Sequence, residues 1–441
     1  MFRRLLSVVL VAVVAACAGS EEPADNQTGS GEAVGGQSGS VGEGSTDKPK
    51  AEETADPAEL MLVTGPGGSV KVISPDGTEV RELRVPSGGG GPSLQPTWAP
   101  SSLQGRHLVA WTELAEDGTF QIALADVSDG STTRFEAPVA PFYYYWSPDA
   151  MLLGFLGQSA FSPLQMGVVD LQLERVELLG EGQPFYFDWR ADSNALIAHV
   201  GDALSLLTRD DGAWTSEVLS VTPGLFQAPA WISSDRILVT TPASAGGVEV
   251  SVGMFAAQSD LSGQRLIVSD LGGRPLSTLA ELEGAAAFEP DPDGLRVAFT
   301  DFAGPLLVLN VAGGKSVPVS DGRVAAFQWS PDGSRLLFME VDKEAQALVP
   351  RVWDGSYTVT FRSFYPTRVF LLQYLPFWDQ YTRSLTLWAP SGESFTYPAA
   401  TAGGDRIMVQ HLSQTGPVEV SRGVFASWSP VPVAIPIAPQ S

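Results

Sequence analysis

From residue 60 onward, apolar and polar positions follow one repeated plan. A short apolar or aromatic run leads into Trp-Ser-Pro-Asp-Gly or a degraded form of it, and a second apolar run follows. The clearest copy is Ala326-Phe327-Gln328-Trp329-Ser330-Pro331-Asp332-Gly333, then Arg335-Leu336-Leu337-Phe338. Other copies carry Trp98, Trp146, Trp189, Trp231, Trp388 and Trp428, and in the fifth Phe288 stands for the tryptophan. Successive markers lie 48, 43, 42, 57, 41, 59 and 40 residues apart. A period near forty residues is the size of one four-stranded propeller blade. Proline fixes its own φ, aspartate caps the turn and glycine accepts a positive φ, so the chain reverses tightly. The tryptophan before the turn offers a large apolar plate to wedge between neighbouring sheets.

A second punctuation recurs within the units, as in Asp126-Val127-Ser128-Asp129-Gly130, Asp210-Asp211-Gly212 and Asp270-Leu271-Gly272-Gly273. It separates an apolar run from a more polar one. Each unit therefore predicts a meander of four strands, and no amphipathic helical pattern persists for more than a turn or two. The predicted fold is all-β: a propeller of eight four-stranded blades over residues 59–431. Seven blades is the alternative, should one insertion-bearing unit not form a true blade. The first three runs (60–64, 69–73 and 79–85) lack an innermost strand, and the last marker supplies one at 424–428 with only a Pro-rich tail, 432–441, after it. Pairing the two chain ends completes the eighth blade and removes exposed sheet edges.

These turns resemble the repeats of TolB-like and dipeptidyl-peptidase-like propellers over roughly residues 60 to 430. The resemblance implies architecture and is nearly silent on function.

The first 58 residues read differently. Two arginines, Arg3 and Arg4, precede the apolar run 5–14, which is too short to span a bilayer and reads as a secretory signal over residues 1–16. It ends in Val14-Ala15-Ala16-Cys17, which resembles the bacterial lipobox. That resemblance implies cleavage after Ala16, diacylation (palmitate-like chains) on Cys17, and attachment to the outer side of the cytoplasmic membrane, or to an outer membrane if the host has one. Residues 17–58 are rich in Gly, Ser, Glu, Asp and Thr, and they predict a disordered tether with a reach of roughly 35 Å.

Composition narrows the chemistry. A formal charge of -24 argues against nucleic acid as a partner and is compatible with a basic one. Cys17 is the single cysteine, so no internal disulfide can form. The chain has no Gly-x-Ser-x-Gly elbow and leaves no room for a hydrolase domain beside the propeller. His107, His199 and His411 lie in different repeats, so neither a metal site nor a cofactor is expected. Among inner-strand positions only Asp188 and Glu289 bring acids near the marker.

The most unusual stretch is 341–385, which holds ten of the chain's 41 aromatics. One reading is two long twisted strands of this blade packing their rings on each other and on the next blade. The other is an exposed aromatic ledge on one rim, with Trp353, Tyr357, Phe364, Tyr365, Phe377, Trp378 and Tyr381 forming a binding patch. The insertion 243–263, rich in Gly and Ala, predicts a loop. The expected function is a lipid-anchored, non-enzymatic binding or scaffold module for an envelope protein, peptide or glycan. The alternative is a hydrolase or lyase on an envelope polymer, with a carboxylate site in the channel.

Overall fold

The structure, a computed structural model, describes residues 56–85, 95–159, 162–224, 228–243, 263–284, 286–301 and 304–434. The signal segment, Cys17, most of the tether, most of the 243–263 insertion and most of the tail lie outside the described residues. Residues 57–433 form one compact unit of eight antiparallel sheets in a ring.

Blade one joins Met61–Thr64, Val70–Ile73 and Glu79–Arg84 to Phe425–Trp428, the strand nearest the axis. The closing register pairs Met61 with Trp428 and Thr64 with Phe425. Blades two to seven are consecutive meanders spanning 97–137, 140–182, 185–218, 230–282, 286–320 and 324–360. Blade eight has three full strands, Ser394–Thr401, Gly404–His411 and Val418–Arg422. Its innermost strand is reduced to a single bridge, Trp388 to Phe395.

Burial follows the radius. The second strand of blade three, Leu152–Gln158, is buried at all but its last residue, whereas the outer strand Ala213–Val218 is almost wholly exposed. The core therefore lies between the faces of neighbouring blades. Leu108, Ile122 and Leu124 of blade two meet Tyr144, Trp146 and Phe155 of blade three. At the closure, Met61, Val63 and Trp428 pack on Ile407 and Val409 of blade eight. Both chain ends share one core, which is what seals the circle.

The repeated turn works through its polar groups. Ser330 Oγ accepts the Arg335 N–H at 2.9 Å and donates to Asp332 Oδ1 at 2.6 Å. Asp332 in turn accepts the Ser334 N–H at 3.0 Å. Ser147 and Asp149 repeat the arrangement in blade three, with Ala150 taking the positive φ. The tryptophan wedges one blade onto the one before it. The indole N–H groups of Trp189, Trp231, Trp329 and Trp388 donate to the carbonyls of Tyr145, Asp188, Glu289 and Gln328. Trp98, Trp146 and Trp428 make no such bond.

This pattern corrects the fifth marker, in blade six. Phe288 faces Phe299 as Phe327 faces Phe338, and Pro290 faces Val297 as Trp329 faces Leu336. Pro290 thus holds the tryptophan position, and Phe288 is the equivalent of Phe327. Asp291 replaces the turn serine. Its Oδ1 accepts the N–H groups of Leu295 and Arg296, and its Oδ2 pairs with the Arg296 guanidinium at 2.8 Å. The motif shift was invisible because proline also precedes a turn.

Gly294, at φ +67°, sits where a Cβ would run into the carbonyl oxygen of Ile232 in the preceding blade. Gly294→Ala is expected to cost about 2–3 kcal/mol, from the left-handed φ and from the clash with a backbone that cannot yield. Urea unfolding measures it; a loss below about 0.5 kcal/mol would mean the blades can separate there freely.

Candidate functional site

A segment of the chain itself fills the ring's axis. After the outer strand of blade seven, Thr358–Thr360, the chain turns inward through a π-helical turn (Phe370–Tyr374), a 3-10 turn (Leu375–Phe377) and an α turn (Trp378–Tyr381). It then joins blade eight at Trp388. A run this aromatic gains most where other rings cover it. The axis supplies them. Trp378 packs on Phe327 with centroids 4.1 Å apart, Tyr381 on Tyr143 at 5.0 Å and Tyr374 on Phe425 at 5.5 Å. Phe370, Tyr374 and Tyr381 stack in succession at 4.9 and 6.0 Å.

Polar ties run outward from this segment to the inner strands. Gln380 accepts the Phe187 N–H at 2.9 Å and donates to the Phe187 carbonyl at 2.9 Å, reproducing a step of strand pairing with its side chain. The Gln380 carbonyl accepts the Tyr143 hydroxyl at 3.0 Å. Thr97 donates to the carbonyl of Ser384 at 2.9 Å, and Gln328 donates to that of Thr382 at 2.7 Å. Thr367 donates to Val424 at 2.6 Å, beside the closing strand. Asp379 Oδ2 accepts the Ala228 N–H at 3.2 Å, at the entrance to blade five.

The charged centre is Arg383. Its Nη1 lies 3.4 Å from Asp188 Oδ1, with the two side chains 9% and 10% exposed. The guanidinium also donates to the carbonyls of Pro229 and Ala228. Asp188 is fully engaged: Tyr145 donates to Oδ1 at 3.1 Å and the Trp231 N–H to Oδ2 at 2.8 Å. Burial raises the proton affinity of Asp188 against the opposing pull of Arg383, and burial raises that of Asp379 too. Burial pushes Glu289 up to about 8, with Arg383 and the Trp329 amide acting the other way. For Arg383 burial opposes the charge, but Asp188, Tyr145 and Asp379 outweigh it and hold the guanidinium protonated. Both inner-strand acids singled out in the sequence, Asp188 and Glu289, therefore belong to this cluster, and Asp379 of the axial segment joins them.

The aromatic set expected as one exposed ledge is divided. Trp378 and Tyr381 are buried on the axis, with Phe377 half-buried edge-on to Tyr381. Trp353 is buried against Trp329, and Phe364 against Tyr397 at 4.2 Å. Tyr357 and Tyr365 remain outside, 65% and 58% exposed. The ledge is corrected to two separate surface tyrosines, because most of its rings find a better partner inside the ring than in water. The paired-strand reading holds in part: strands account for the stretch only to Thr360, while Phe361 and Phe364 do pack on Phe395 and Tyr397 of the next blade. Among the described residues no three His, Cys, Asp or Glu side chains gather in a way that could hold a metal ion.

No family model matches this chain. No curated protein matches it either. Solved structures do. A eukaryotic initiation factor is similar at 12% identity and a TM-score of 0.53, over 85% of this chain and 100% of that one. The dihydro-heme d1 dehydrogenase NirN, in complex with DHE, is similar at 11% identity and 0.54, over 86% and 75%. TolB from Acinetobacter baumannii is similar at 13% identity and 0.37, over 69% and 63%. Identities this low show a shared fold alone.

Proposed function

We propose that this protein is a rigid, non-enzymatic binding or scaffold module, held at the cell envelope through a lipid on Cys17 and recruiting an envelope protein, peptide or glycan by its outer surface. The observation that carries the reading is the occupied axis. Asp188 faces Arg383 and the Trp231 N–H, and Asp379 of the axial segment faces the Ala228 N–H, so the surfaces left for a partner are the rims and outer strands. Tyr357 and Tyr365 are the exposed survivors of the aromatic stretch, and each offers an amphipathic anchor. The formal charge of -24 favours a basic partner.

The alternative reading, a hydrolase or lyase on an envelope polymer, draws on the convergence of Asp188, Asp379 and Glu289. For a polymer to reach them, residues 365–387 would have to leave the axis.

Affinity purification of the full chain from membranes tests the preferred reading. Partners recovered with the native chain are expected to fall at least tenfold with Tyr357→Ala and Tyr365→Ala together, and Cys17→Ala is expected to move the protein into the soluble fraction. Undiminished recovery with the double variant, or membrane retention of Cys17→Ala, would count against it. Turnover of an envelope polymer that Asp188→Asn abolishes would establish the alternative.

A further inference from the structure

The axial segment leaves and rejoins the same strand edge, that of Ser394–Thr401 in blade eight. At one end the Ala400 N–H donates to the Tyr365 carbonyl and the Thr367 N–H to that of Pro398, around the bridge of Pro366 to Ala399. At the other end the Thr396 N–H donates to the Leu387 carbonyl and the Ala389 N–H to that of Ser394, around the bridge of Trp388 to Phe395. Both bridges are antiparallel. The bonded positions 400, 398, 396 and 394 alternate without a break, as they do along a single antiparallel partner. Residues 365–367 and 387–389 are thus two halves of one innermost strand. Twenty-two steps of chain, from Pro366 to Trp388, cover the four steps from Ala399 to Phe395, so eighteen residues are surplus to that strand. The surplus fills the axis.

The anchors for this surplus belong to the blades. Arg383 is held by Asp188 of blade four and by the carbonyls of Ala228 and Pro229, just ahead of blade five. Asp188 is itself fixed from outside the segment, by the Tyr145 hydroxyl and the Trp231 N–H. Tyr143, Phe327 and Phe425, from blades three, seven and one, meet the rings of Tyr381, Trp378 and Tyr374. A carboxylate and two carbonyls are all acceptors. Among aromatic walls they suit a planar guanidinium, with its fork of donors and weak hydration, better than a compact ammonium.

We propose that the ring's channel is a binding site for an arginine side chain carried on an aromatic peptide, and that residues 368–386 are its ligand in cis, looped out of a blade-eight strand. The site is independent of the outer-surface binding proposed above.

Replacing residues 368–386 by one glycine rejoins the two half-strands in their present register and opens the channel. A synthetic peptide of residues 368–386 is the probe, titrated into the shortened chain by calorimetry. It is expected to bind at least about tenfold more tightly than the same peptide carrying Arg383→Gln, which lacks the buried charge partner. The native chain, its channel filled, is expected to bind neither. A shortened chain that folds but binds neither peptide, or both equally, overturns the proposal, as does binding of the peptide to the native chain. Should the shortened chain fail to fold, Arg383→Ala in the full chain decides. Ethylguanidinium, the group this substitution removes, is expected to raise the urea midpoint of the variant at about 10 mM, and ethylammonium to leave it unchanged. Adding Asp188→Asn is expected to abolish the response. An equal response to both salts, or none to either, removes the site.

Discussion

Replacing Arg383 by methionine is expected to lower the free energy of unfolding by about 3–5 kcal/mol, the usual cost of stripping one partner from a buried ion pair. Methionine keeps most of the side-chain volume, so a cavity does not account for the loss. What remains is Asp188 without its cation, together with the carbonyls of Ala228 and Pro229 deprived of their donors. The double variant Arg383→Met with Asp188→Asn is expected to recover part of that loss, because the amide carries no charge and still accepts from Tyr145 or Trp231. Urea titrations of the four proteins complete a double-mutant cycle, with an expected coupling of about 1–3 kcal/mol. A coupling near zero would mean that Arg383 acts only through the two carbonyls, and the cluster would lose its electrostatic meaning.

The ring was legible in the sequence because its information is local. Each Trp-Ser-Pro-Asp-Gly turn needs only residues within a few positions of one another, so its recurrence counts blades directly. The closure was legible for a related reason: three runs at one end lacked an inner strand, and the other end carried one. The misplaced marker in blade six shows the limit of such reading. Phe288 looks like the natural substitute for a tryptophan, and only the pairing of Pro290 with Val297 shows which residue holds the position.

The axial segment was not legible, and its physics explains why. Its aromatics were conspicuous, yet nothing within residues 365–387 says what they pack against. Trp378 finds Phe327, Tyr381 finds Tyr143 and Tyr374 finds Phe425, partners from three different blades. Likewise Asp188 and Arg383 are nearly two hundred positions apart, and each alone reads as an ordinary channel or surface charge. One available signal was the company Arg383 keeps: Asp379, Gln380 and Arg383 stand amid rings, and polar groups in such a setting require bonded partners. The same segment explains part of the division of the aromatic patch; Trp353 and Phe364 are buried instead against Trp329 and Tyr397 of the blades. Rings that find a partner on the axis or between blades leave the surface, and of the patch only Tyr357 and Tyr365 stay well exposed.

The ring closure and the axial segment are also coupled, which makes the closing strand costly to remove. Phe425–Trp428 is buried along its whole length, with Phe425 5% and Trp428 1% exposed. Phe425 packs against Tyr374 and Phe370, and Val424 accepts the Thr367 hydroxyl. Truncation after Gly423 therefore removes two large buried aromatics, worth roughly 5 kcal/mol together from apolar area alone. It also opens the inner edge of Met61–Thr64 and releases one side of the axial segment. A loss of that order approaches the whole stability of an ordinary domain, about 5–15 kcal/mol. The truncated chain is expected to lose its cooperative unfolding transition and to associate in a concentration-dependent way, since an unpaired apolar strand edge recruits other strands. A synthetic peptide of residues 424–433 should restore a monomer with native aromatic circular dichroism, because it carries the pairing register that joins Met61 to Trp428 and Thr64 to Phe425. Light scattering and near-ultraviolet circular dichroism read both effects. A truncated chain that stays monomeric and unfolds at the native urea midpoint would show that the seven remaining blades and the axial segment hold the circle without its closing strand.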